Sequence, residues 1–113
     1  MKVFIPRVPM TQNQMLATHW GNREKDKLAW RTLIFSVLKR GSAKKKRRVI
    51  ITVLRHTKQD QDNLGGSVKH VLDSLVTLGH LVDDGPKWID LTVTEIVERN
   101  KARRGTYVEI EDV

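Results

Sequence analysis

Asp60 and Asp62, in the stretch "KQDQDNL" at 58–64, set two carboxylates two residues apart just ahead of a helical pattern. In an extended segment residues i and i+2 point to the same side, so the pair faces together with Gln61 turned away. Carboxylates that close repel each other unless a cation lies between them. A hard cation such as Mg²⁺ takes oxygen ligands, commonly one or two carboxylates with waters and substrate phosphates completing the shell. The chemistry this suits is attack on a phosphodiester, with the cation polarising a phosphoryl oxygen and activating a water.

Two further features bear on that pair. If the helix begins near Asp62, Lys69 lies nearly two turns on and on the same face, its side chain leaning back toward the helix start. Asp73, a further four residues along, is placed to hold Lys69. Asp83 and Asp84 follow the helix in "LVDDGP" and would supply a third acidic ligand. The start of the strand after them reaches the end of the strand before Asp60 only if the two run antiparallel. Plainer roles compete for each residue. Asp62-Asn63 suits a helix N-cap, Asp83-Asp84-Gly85-Pro86 suits a turn, and Lys69 with Asp73 suits a surface ion pair. A calcium loop starting at Asp60 is excluded, because its fifth place is Leu64 and its twelfth, where a bidentate Glu belongs, is Val71.

The charge balance points the same way as the acids' chemistry. Lys plus Arg number 21 against 13 Asp plus Glu, a net charge of +8 in 113 residues. That excess favours a polyanionic partner, nucleic acid above all, through counterion release. The run Lys44, Lys45, Lys46, Arg47, Arg48 is the candidate phosphate-contacting surface, with Arg99, Lys101, Arg103 and Arg104 as a second cluster. Trp30 reads as core, while Trp20 sits in a polar stretch where it would stack on bases or close a dimer. His19, His56, His70 and His80 show no metal-ligand spacing and read as surface residues. There are no cysteines, which excludes disulfides and thiolate metal sites and suits a reducing compartment. No apolar run approaches membrane-spanning length and no signal-peptide core opens the chain, so a cytoplasmic location is expected.

The elements that must position these groups form one domain over 1–113. Residues 2–8 read as a strand with Pro6 at its edge or end, and 9–22 as an ordered loop. From Glu24 to about Lys39 the spacing predicts a helix burying Trp30, Leu33, Ile34, Val37 and Leu38, with Gly41 as its stop. After the basic connector 41–48, "VIITVLRHT" at 49–57 reads as a strand buried on both faces. A second helix follows, with Leu64, Val68, Val71, Leu72 and Leu75 as its apolar stripe and Gly79 as its C-cap. Strands at 87–99 and 106–113 flank the turn "NKARRG". The order β-α-β-α-β-β implies an α+β two-layer sandwich, a mixed β-sheet with two helices on one face.

The combination of "DQDNL", a lysine inside the next helix, then "LDSL", "LG" and "LVDD" resembles the RusA family of Holliday-junction resolvases, a prophage type of crossover junction endodeoxyribonuclease. The match covers residues 58–84, and the N-terminal third is similar only in style. The resemblance implies a homodimeric, Mg²⁺-dependent endonuclease that nicks opposing strands of four-way DNA junctions in recombination and repair. Asp60, Asp62 and Asp84 match the family's metal-binding acids and Lys69 its lysine, and the choice of Asp84 over Asp83 comes from the resemblance. "GGS" at 65–67 lengthens the gap between Asn63 and the lysine relative to the family pattern. A C2 dimer would present two equal sites to the two-fold junction. The alternative is a basic protein that binds branched DNA without cutting it; a third is a nuclease for another branched or single-stranded DNA.

Overall fold

The central strand explains most of the architecture. The structure is a computed structural model that describes residues 1–57 and 67–113. β2 (Arg47–Arg55) alternates strictly: Val49, Ile51, Val53 and Arg55 are buried, while Ile50, Thr52 and Leu54 are only half-buried. The β-branched run therefore makes a strand with one covered face, where burial on both faces was expected. Among the described residues the helices lie against one side, and none forms a second layer over the opposite face.

β1 (Lys2–Ile5), β4 (Gly105–Asp112) and β3 (Ile89–Val97) complete a four-stranded sheet in the order β1-β4-β2-β3. β4 pairs antiparallel with both β1 and β2, whereas β2 and β3 run parallel, with Arg47 opposite Ile89 and Arg55 opposite Val97. A parallel pair needs a crossover, and α3 (Lys69–Thr77) lies on it. The mixed sheet with helices packed on one face is the architecture the sequence implies.

Its element order gains one member. α1 (Gln12–Ala17) forms inside the stretch expected to be a loop. Thr11 and Gln14 make a reciprocal capping box, the Thr11 hydroxyl accepting from Gln14 N–H at 3.0 Å and the Gln14 carbonyl oxygen from Thr11 N–H at 2.8 Å. That local satisfaction of donors holds a six-residue helix whose sequence shows no apolar period. α2 (Trp20–Leu38) starts four residues earlier than its apolar stripe suggests. Trp30 and Ile34 are fully buried and Leu33 and Leu38 pack beside them, but Val37 is exposed. The stripe instead extends back a turn to Asp26.

α2 ends at Leu38, with Lys39 at a positive φ of 52°, before Gly41 is reached. Gly41 serves a different purpose. Its N–H donates to Leu78 O at 2.8 Å, and a Cβ there would sit 2.7 Å from His80 Nδ1. Gly79 caps α3 at φ +84°, as expected, and its carbonyl accepts from Ala43 N–H. His80 is buried rather than a surface residue, and its Nε2–H donates to Lys39 O at 2.9 Å. The ends of α2 and α3 are thereby strapped together beside the start of β2.

The core joins Val49, Ile51 and Val53 of β2 and Val108 and Ile110 of β4 to Trp30, Ile34, Val71, Leu72 and Leu75 of the helices. Val71, Leu72 and Leu75 are the helical stripe read from sequence, and Val68 joins them one residue before α3; Leu64 lies outside the described residues. Burying each of these side chains contributes about 1.5–3 kcal/mol, and that burial fixes the angle at which α2 and α3 cross the sheet.

Candidate nucleic-acid interface and the placement of the acids

The parallel pairing of β2 and β3 gives the sheet two chemically different ends. From Arg47 to Arg55 is roughly 26 Å at a strand's rise per residue. α3 returns over the sheet, rising about 12 Å from Lys69 to Thr77.

At the end where β2 and β3 finish, the chain leaves β2 into residues 58–66. Asp60 and Asp62 fall in that segment and lie outside the described residues, as do Gly65 and Gly66. Lys69 opens α3 on the far side of the segment and is exposed. No ion pair joins it to Asp73, so its ammonium is not held by the residue expected to hold it.

Asp83 and Asp84 stand at the other end. They lie between α3 and β3, where Asp84 N–H donates to the neighbouring Asp83 carboxylate at 2.8 Å, and the turn itself follows them, Trp88 N–H donating to Gly85 O at 2.9 Å. Because β3 runs parallel to β2, its start lies beside the start of β2, where Arg47 N–H donates to Trp88 O. The antiparallel arrangement that would carry these acids to the end of β2 is not the one adopted. Within one chain the structure places Asp84 and Lys69 at opposite ends of α3.

The basic run 44–48 is also at this end, and much of its charge is already matched. Lys46 pairs with Asp90 at 3.1 Å, Arg47 with Asp112 at 3.2 Å and Arg48 with Glu111 at 3.6 Å. The two arginine pairs follow from the register of β2 with β4, while Lys46 reaches Asp90 from just before β2. Lys44 and Lys45 alone among the five make no ion pair with a described residue.

The second basic cluster is better placed. Arg104 Nη2 donates to His56 Nδ1 at 3.2 Å and its Nε to Glu98 O at 3.0 Å, which seats it against the end of β2. Arg99, Lys101 and Arg103 are exposed and form no ion pair with a described residue. With Arg23 and Lys69 they give the end where β2 finishes its cationic character.

Two buried polar constellations underlie this same end, and sequence reasoning passed over both. Arg55 and Glu95, on neighbouring strands, form an ion pair at 2.7 Å with side chains 7% and 5% exposed, and Arg55 also donates to Pro9 O at 2.9 Å. Burial holds the Arg55 guanidinium below its ordinary pKa, and Glu95 pulls it part of the way back. Asp26 accepts from Arg7 Nη2 at 2.5 Å on one oxygen and from His70 Nδ1–H at 2.6 Å on the other. Arg7 in turn lies over the Trp30 ring at 5.8 Å. His70 is therefore not the ordinary surface histidine expected. It belongs to a polar network that ties the exit of β1 to α2 and α3.

A sequence signal for these residues existed. Arg55 continues the inward set Val49, Ile51, Val53 by one step of two, and Asp26 precedes Trp30 by four residues on the buried helix face. A charge in phase with a core stripe is rarely left unpaired.

Which residues suit a divalent cation can be judged by donor type. The three acids the resemblance assigns are all carboxylates, the set a hard cation prefers. Among the described residues no three potential ligand side chains cluster closely enough to hold a metal. Among those residues, too, no helix is long and apolar enough to cross a membrane. No family model matches the chain, and no curated protein matches it.

Proposed function

We propose that the chain is a Mg²⁺-dependent endonuclease for branched DNA, a resolvase of four-way junctions acting as a homodimer. The observation that carries this reading is the "DQDNL" pair of acids on the segment that leaves the sheet at its cationic end, with the exposed Lys69 opening the helix that follows. Asp60 and Asp62 would hold the cation, and Asp84 is the third acid by resemblance. Mg²⁺, when bound, supplies Lewis-acid polarisation of the scissile phosphate. Lys69, with no ion pair to a described residue, has a positive charge to offer a phosphate oxygen or the leaving oxygen. Arg99, Lys101, Arg103 and Arg104 hold the backbone to either side, while Lys44 and Lys45 are the part of the basic run left to contact DNA at the far end.

The second reading, a DNA-binding protein without cleavage, is favoured by the place of Asp83 and Asp84 at the opposite end of α3 from Lys69. Cleavage of a synthetic mobile four-way junction separates the two, with linear duplex and single strand as controls. Wild type should make paired nicks with Mg²⁺ and none with chelator, while Asp62→Asn binds the junction and does not cut. Binding without any cut in wild type would leave the acids a structural role.

A further inference from the structure

The geometry points to a second site at the same end: a cleft, between α1 and the first turns of α2 and α3, that holds an unpaired base and its phosphate. The inference deepens the nuclease reading and rests on its DNA-binding half, not on the acids.

The cleft has a volume of about 350 Å³, within the range of small-molecule pockets. Its apolar side is unusual for a charged protein surface. Trp20 is 67% exposed, and Leu16 on α1 is 70% exposed. A large ring at helix α2's first position contributes nothing to the core, which Trp30 fills. Its polar side is built from Arg23, Glu24, Lys69 and His70. Arg23 lines the cleft, and its Nε is buried behind that wall without a hydrogen-bond partner among the described residues. Lys69 forms no ion pair with a described residue and stands at the rim.

His70 is the most constrained of the four. Asp26 accepts from its Nδ1–H, so the ring is fixed in place and Nε2, on its far side, is left for the cleft. Arg7 holds the other oxygen of Asp26, which makes Asp26 the positioning residue for His70. The network is three elements deep behind one imidazole, which is more support than a surface histidine requires.

An exposed indole beside two cations and an oriented imidazole is the chemistry that recognises a nucleotide. A base stacks on the ring, phosphate oxygens accept from Arg23 and Lys69, and the bare Nε2 of His70 accepts from a base N–H. Glu24 is the acid on the wall, and its carboxylate offers an acceptor to a base's exocyclic amine. Stacking between neighbouring pairs hides both faces of a base inside the duplex, so the site selects an unpaired or extruded base, such as branch points present.

The test is titration of the full chain with a single-stranded oligothymidylate, followed by tryptophan fluorescence and by anisotropy of a labelled strand. Wild type should show saturable quenching. Trp20→Ala should abolish the quench and weaken binding roughly tenfold, the loss of one base–aromatic stack. His70→Gln should weaken binding by a smaller factor. For Asp26, the ring-nitrogen NMR shifts of His70 are the readout. Asp26→Leu should release the Nδ1-protonated tautomer and weaken DNA binding, while Asp26→Asn, which still accepts from Nδ1–H, should retain both. Buried Trp30 keeps the near-UV signal that certifies folding in every variant. Unchanged quenching and affinity in Trp20→Ala would overturn the proposal. So would a change of oligomeric state with DNA binding intact, since the Leu16–Trp20 patch would then be an interface between copies. The two readings fail separately. Trp20-dependent quenching without cleavage keeps the cleft and removes the nuclease, and Asp62-dependent cleavage with a silent Trp20 does the reverse.

Discussion

The two ends of the sheet carry similar numbers of cations and differ in what those cations face. Where β2 and β3 begin, Lys46, Arg47 and Arg48 each find an acid, and Asp83 and Asp84 precede the turn that Trp88 N–H closes on Gly85 O. Where β2 and β3 finish, Arg99, Lys101, Arg103 and Lys69 face solvent, and the paired charges are the buried ones, Arg55 with Glu95 and Asp26 with Arg7 and His70. A run of five basic residues therefore advertises less binding capacity than a scattered set. Register with acidic strands consumes most of it, while charges on a turn and a helix start remain available. Buried ion pairs beneath an exposed cationic surface also set the frame rigidly, which is what positioning a phosphate requires.

The largest effect that would break this comparison concerns Asp84, which stands at the quiet end yet matches a metal-binding acid. Asp62→Asn and Asp84→Asn should each lower junction cleavage on the order of a hundredfold or more. Since one chain sets Asp84 at the opposite end of α3 from Lys69, the acids would combine across two copies. Mixed dimers of the two variants should then regain cleavage, because one of their two sites contains no substitution. A mixture as dead as its parents would keep the acids within one chain.

Next in size are the buried pairs. Glu95→Leu removes the carboxylate paired with the buried Arg55 guanidinium and should cost about 3 kcal/mol in chemical denaturation, with an unchanged m-value. Asp26→Leu should cost about 2 kcal/mol, less because Arg7 is more than a third open to solvent and regains water. A smaller cost at Glu95 than at Asp26 would contradict the larger penalty expected where both partners are buried. The smallest effects sharpen the comparison of cations. Lys101→Ala and Arg103→Ala should each reduce the slope of log affinity against log salt by about one, and Arg48→Ala should leave it unchanged.

How much of this was legible in the sequence follows from which forces the sequence displays. The spacing of Trp30 and Ile34, and of Val68, Val71, Leu72 and Leu75, shows the buried faces directly, and Gly79 shows a helix end. The two-layer α+β architecture follows from those. α1 escaped because a capping box, not an apolar stripe, stabilises it. Val37 and the open face of β2 were misjudged because periodicity reports that a face is apolar and not that anything covers it. The direction of β3 relative to β2 decides where Asp84 falls, and it is a property of the crossover that no local residue encodes. Asp26 and His70, 44 residues apart, announce themselves only when the helices meet.

The most direct test of the central claim, that DNA is held at the end where β2 finishes, is an amide and side-chain NMR titration. The chain would be titrated with a four-way junction in the presence of Ca²⁺ to suppress cutting. The earliest and largest shifts should fall at Trp20, Arg23, Lys69, His70 and Arg104, with Lys46, Arg47 and Arg48 nearly still. Shifts concentrated on 44–48 and around Asp83 and Asp84, with Lys69 and His70 unmoved, would contradict it.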